Sequence, residues 1–234
     1  MHNYLARHDT CSARLRRCLG NPFCRQEVEH HGPLGAGRAA ADRGHRRRAR
    51  GPRPNDFRAS AEVALDQDWF AGTDTAAELI AAAEREFPDG DWDTDFLRLR
   101  HSYARLLLID GALRMGPEGK DPYALARLHD RARELHDAAP DELHRGWAAM
   151  YRGLIAENHY ADRKAANGHY TAALRAGENG GDGLLAREAL RHLGDQDRDA
   201  GDLERATERR RRATALGARA GTAPGTLSQQ LLPA

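Results

Sequence analysis

Apolar positions recur at helical spacing through most of this chain. Ala186, Ala189, Leu190 and Leu193 form one stripe, and Leu203, Ala206, Ala213 and Leu216 form a second. Between them, Ala200-Gly201-Asp202 supplies a helix stop and then an N-cap. The pattern predicts two short helices packed antiparallel across a tight turn. Gly194 and Ala206 are small where the two would touch.

The preceding segments read as earlier versions of the same unit. A short helix is expected over Ala61 to Phe70, and one capped by Asp74 over Thr75 to Phe87. A longer helix is expected from Asp93 to Arg114, burying Phe96, Leu97, Leu99, Tyr103, Leu106, Leu107 and Leu113. After a Gly116-Gly119 loop, Asp121-Pro122 caps a partner helix over Tyr123 to Ala138. The next pair spans Glu142 to Tyr160 and Asp162 to about Ala176, with a break over Glu178 to Gly183. Hairpins are thus expected at about 93–138, 141–177 and 183–219, within a helical domain of residues 61–234. With few β-branched residues and many alanines, leucines and arginines, the fold class is all-α.

The last hairpin resembles a tetratricopeptide repeat, a helix–turn–helix that stacks in tandem. Leu190, Leu193 and Gly194 carry the likeness in its first helix, and Ala206 and Ala213 in its second. The run Gly201 to Ala206, GDLERA, is similar to the family's turn and second-helix start. Arg210 replaces the family's aromatic, and the closing proline is absent. First helices start near residues 93, 141 and 183, so the repeat is longer than the common one. In that respect the chain resembles long-helix tetratricopeptide-like proteins of high-GC bacteria, some attached to transcriptional regulators. The resemblance implies antiparallel hairpins stacked as a right-handed superhelix, an α-solenoid whose inner surface is lined by first helices.

Charge divides the chain. Residues 1–60 hold 13 arginines against five acids, whereas the remainder is acidic. Glycine, arginine and proline dominate that arm, which offers little apolar surface to offset its ordering, so disorder is expected there. The run His45 to Arg50, HRRRAR, reads either as a polyanion contact or as compositional bias. Cys11, Cys18 and Cys24, with His30 and His31 behind them, include a legitimate zinc donor set, but their gaps of six and five are too wide for the usual pairs. Unpaired reduced thiols are the other reading. No apolar run reaches the ~20 residues of a membrane span, and no secretory core stands at the N-terminus. A cytoplasmic protein without cofactor or metal is the expectation.

No chemistry-bearing motif stands out. Asp195 to Asp199 alternates like the start of a calcium loop, yet Ala200 and Ala206 occupy the positions that need glycine and glutamate. The histidines of the helical part never form a His-Glu-x-x-His pattern, and neither a phosphate loop nor a nucleophile elbow occurs. The chain reads as a non-enzyme.

Binding is the better candidate. If Ala104, Gly153 and Gly194 are equivalent positions, the resemblance projects Arg98, His101 and Arg105 onto the inner surface of the first unit. The second unit gives Trp147, Met150, Tyr151, Glu157 and Asn158, and the third gives Arg191, His192 and Asp195. The set makes an apolar centre between polar flanks, suited to a peptide or partner helix; alternatively Trp147, Met150 and Tyr151 are core. Two functions follow: a protein or peptide interaction module, or nucleic-acid or polyanion binding through the basic arm. At the C-terminus, a partial helix over 226–232 would leave an incompletely covered surface around Leu193, Leu203, Leu216, Leu227 and Leu231, favouring self-association.

Overall fold

The computed structural model describes residues 54–219, with side chains from Phe57 onward. Residues 1–53 and 220–234 fall outside that description. The cysteines, the HRRRAR run and the partial helix at 226–232 therefore lie outside the described residues.

Among the described residues eight helices follow in order: α1 Pro54–Ala71, α2 Ala76–Glu86, α3 Trp92–Leu107, α4 Pro122–Asp137, α5 Glu142–Tyr160, α6 Arg163–Gly180, α7 Gly183–Asp199 and α8 Leu203–Arg219. A two-stranded ribbon, β1 Leu108–Ile109 and β2 Ala112–Leu113, sits between α3 and α4. Among the described residues the architecture is all-α apart from this ribbon.

Asp91, Asp121, Asp141, Asp162, Asp182 and Asp202 stand before α3 to α8 in turn. Each carboxylate accepts backbone N–H groups from the first turn it precedes. These donors have no partner within the helix, so an aspartate at each start fixes where the helix begins.

Neighbouring helices pack through three consecutive apolar cores. Ala61, Leu65, Ile80 and Leu97 join α1, α2 and α3. Leu99, Leu107, Leu128, Leu135, Ala148 and Ile155 join α3, α4 and α5. Met150, Tyr170, Ala173, Leu185, Ala189 and Leu193 join α5, α6 and α7. Leu190, Ala206 and Ala213 are buried where α7 and α8 meet. The α5–α6 pair runs antiparallel, because Gly180 lies against Leu143, Gly146 against Ala176 and Gly153 against Tyr170. In the last hairpin Gly194 faces the Ala206 carbonyl, and Gly201, at φ 85°, makes the turn.

Several expectations need correction. The first helix begins at Pro54 rather than Ala61, so 54–60 belong to a helix, not to the arm. Asp74 does not cap α2. The cap comes from Asp68 of α1, whose carboxylate accepts from Ala76 N at 2.8 Å and from the Thr73 and Thr75 hydroxyls. Burial works against that charge, yet these hydrogen bonds bring the Asp68 carboxyl down to about 2. The helix expected to reach Arg114 stops at Leu107. Asp110 and Gly111 both adopt positive φ (51° and 70°), as a type I′ turn requires, and the chain folds back with Leu108 opposite Leu113 and Ile109 opposite Ala112. Helix α6 continues to Gly180, so only Gly181-Asp182 separates it from α7. Leu193 is fully enclosed rather than part of an uncovered surface. Leu203 is 58 % exposed and Leu216 half-buried, but the outer side of α8 presents Glu204, Glu208, Arg211 and Arg212.

Candidate functional site

Helices α1, α3, α5 and α7 contact one another in chain order. Polar side chains from all four meet along this shared face. Arg100 of α3 reaches the exposed carboxylates of Glu62 and Asp66 on α1, at 3.4 Å each, and also bonds the Tyr151 side chain of α5. Tyr151 in turn packs edge-on against Phe96 and Tyr103, with centroids 5.1 and 5.6 Å away. Asn158 Nδ2 donates to the Tyr103 hydroxyl at 2.6 Å. Burial pushes the Tyr103 and Tyr151 phenols up, so both remain neutral donors at physiological pH.

Between α5 and α7 the centre is Glu157. Its carboxylate accepts from the Tyr170 hydroxyl at 2.8 Å and from His192 Nδ1 at 3.2 Å, and it pairs with Arg163 at 3.2 Å. Burial acts to raise this carboxyl, but His192, Tyr170 and Arg163 together hold it below the usual range. The His192 ring stacks on Tyr170, 4.7 Å between centroids. Burial, reinforced by Arg191, pushes the imidazole down, so it is neutral and its Nε2 accepts from Arg191 at 2.6 Å. Glu188 takes Arg191 Nε at 3.1 Å and also binds Arg187. Most of the participating side chains lie only partly covered.

The residues singled out from sequence divide between this face and other places. Tyr151, Glu157, Asn158, Arg191 and His192 come together in the network. Asp195 stands one turn further along α7 and pairs with Arg198 and Arg210. Trp147 donates Nε1 to the Asp182 cap at 2.9 Å, tying α5 to the start of α7. Met150, 2 % exposed, is core, as the alternative reading of that residue had it. Arg98 and His101 turn toward the α2 side: Arg98 binds Glu84, and His101 Nε2 meets Asp74 at 2.6 Å. Arg105 is exposed, 3.8 Å from the same Asp74.

Sequence reasoning passed over Arg100, Glu62, Asp66, Tyr170, Arg163 and Arg187. One signal was present. Glu62 and Asp66 are acids four apart on one helix, and Arg100 lies three before a tyrosine on another. Among the described residues no group of three or more histidine, cysteine or acidic side chains is placed to hold a metal ion. No described helix is long and apolar enough to cross a membrane.

No protein-family model, curated protein or solved structure matches this chain.

Proposed function

We propose that the protein is a non-enzymatic, cytoplasmic interaction module of tetratricopeptide type, which seats a peptide or partner helix along the face shared by α1, α3, α5 and α7. One observation carries the reading: four alternate helices touch in chain order and bring exchangeable hydrogen-bonding groups from each onto a common side. Extended polar networks with aromatic anchors suit recognition of an amphipathic segment better than bond-breaking chemistry. Stacking of the hairpins into a right-handed superhelix, and kinship with regulator-linked repeats, belong to the same proposal.

The test is capture of binding partners from the native cell by the full chain, beside an Arg100→Ala/Arg191→Ala variant and an Arg211→Ala control on the outer side of α8. The first variant should lose specific partners that the control retains. The competing reading, polyanion binding through the arginine-rich arm, predicts that removal of residues 1–53 abolishes binding while Arg100→Ala/Arg191→Ala leaves it intact. That result would overturn the proposal.

A further inference from the structure

Helices α4 and α6 each pack against α5 but make little contact with one another. On α5, Ala148 and Ile155 lie toward α4, in the core that holds Leu128, Ala132 and Leu135. Ala149 and Gly153 lie toward α6, the first in the core with Ala173 and the second against Tyr170. Helical spacing puts Arg152 midway between these two sides, facing the gap between α4 and α6. His169 of α6, beside Tyr170, and His129 and His136 of α4, two turns apart on one flank, share that gap. Arg152, His136 and His129 all act electrostatically on the His169 ring. His129 is also edge-on to Tyr160 of α5, 6.0 Å between centroids.

This cluster lacks the acids found elsewhere. Every other arginine among the described residues that is partly or wholly covered pairs with a carboxylate. Arg152, partly covered, pairs with none among the described residues. Its neighbours one turn away on α5 are Ala148, Ala149, Ile155 and Ala156, and those of His169 on α6 are Ala165, Ala166, Ala172 and Ala173. The carboxylates beside the α4 histidines are engaged. Asp130 faces His129 Nδ1 at 3.7 Å and Arg133 at 3.4 Å, and Asp137 faces His136 Nδ1 at 3.1 Å. Burial, reinforced by Arg152, His136 and His129, pushes the His169 imidazole down.

We propose that this gap is an anion site, in which Arg152, His169 and His136 hold a phosphate group, free or carried on a small molecule. The planar guanidinium matches two phosphate oxygens at once. The imidazoles, once protonated, donate to the remaining oxygens. A bound dianion supplies the counter-charge that α5 and α6 omit. It favours imidazolium over imidazole, so binding takes up protons and tightens as pH falls. None of these groups belongs to the network on the face shared by α1, α3, α5 and α7, so the inference is independent of the binding reading of that face.

The experiment titrates the full chain with sulfate at constant ionic strength and follows the histidine Cε1–H signals by NMR. Sulfate keeps both charges between pH ~5.5 and ~8, where histidine titrates, so the pH dependence belongs to the protein. Sulfate should raise the titration midpoint of His169 and bind several-fold tighter at the acid end. Arg152→Gln should weaken binding several-fold, and Arg152→Lys less. Arg175→Gln removes the same charge from an exposed position of α6 and should leave binding unchanged. Inorganic phosphate and methyl phosphate then separate the two sources: tighter binding of the ester marks a phosphorylated molecule, tighter binding of the ion marks free phosphate. Equal losses in Arg152→Gln and Arg175→Gln, or no response of His169 to sulfate, would overturn the proposal.

Discussion

Gly153 and Gly168 lie on adjacent helices, and replacing each by alanine should move stability in opposite directions. A Cβ at Gly153 would stand 2.5 Å from Tyr170 Cε1 and 2.7 Å from Cδ1. The Tyr170 ring cannot retreat cheaply. It is fully buried, stacked on His192 and bonded through its hydroxyl to Glu157. Overpacking of this kind costs ~1–3 kcal/mol, and the better helix propensity of alanine returns ~1 kcal/mol. Two ring atoms below 3 Å place the cost in the upper part of that range, so Gly153→Ala should lose ~1–2 kcal/mol net. At Gly168, in the exposed middle of α6, an added Cβ meets nothing within 4 Å. Gly168→Ala should gain ~0.5–1 kcal/mol from the reduced freedom of the unfolded chain. Urea titration reads both differences, and thermal melting should shift by roughly 2–4 °C per kcal/mol for a domain of this size. In a Tyr170→Leu background the Gly153→Ala loss should shrink, since the two residues share one contact. A Gly153→Ala variant as stable as the parent would refute the packing argument.

Four further outcomes are expected. Burial and the neighbouring Lys120 push His159 down to about 4, from an unfolded value near 6.5. The unfolded state then binds more protons between those values, so stability should fall by up to ~3 kcal/mol as pH drops from 6.5 to 4, and His159→Asn should reduce the fall measured by urea titration. The same sign holds for Lys120, at about 8 when folded: stability should rise from pH 8 to 10, and Lys120→Met should remove that rise. Ala161 sits at φ 55° in the α5–α6 turn, so Ala161→Gly should raise the melting temperature, by ~0.5–1 kcal/mol of stability. Asp197, nearly buried, pairs with the exposed Arg205 at 2.8 Å and the half-buried Arg209 at 3.1 Å and joins α7 to α8, so Asp197→Ala should lower the urea midpoint through the lost charge-assisted hydrogen bonds, while Arg205→Ala, at the exposed end of the pair, should lower it less.

Helices were legible where apolar spacing and a start signal coincided. Asp141 and Tyr160 bracket α5 as expected, because an aspartate cap precedes an unbroken periodic stretch. The ribbon was not read, although Asp110-Gly111 between apolar pairs is a hairpin signal; Leu106, Leu107 and Leu113 also fit a helical stripe, and the turn chemistry won. The end of α6 was placed early because Gly177, Asn179 and Gly180 look like breakers. Gly177 is instead needed for contact, since a Cβ there would come within 2.7 Å of Ala186 N. The inner face was only half visible. Helix α3 carries polar residues on two flanks, Arg98 and His101 on one and Arg100 on the other, and only the packing of α1 and α5 decides which flank joins the network.

The six aspartates that open α3 to α8 give each helix its own starting instruction, independent of distant sequence. A polypeptide cut between Ala138 and Pro140 keeps every one of those instructions beside the helix it serves. The cut does divide the middle core, separating Leu99, Leu107 and Leu128 from Ala148 and Ile155. Two such halves, produced separately, would each know where their helices begin but lack the apolar surface to hold them. They should find one another and complement, so the boundary before α5 is the natural place to build a split reporter from this protein.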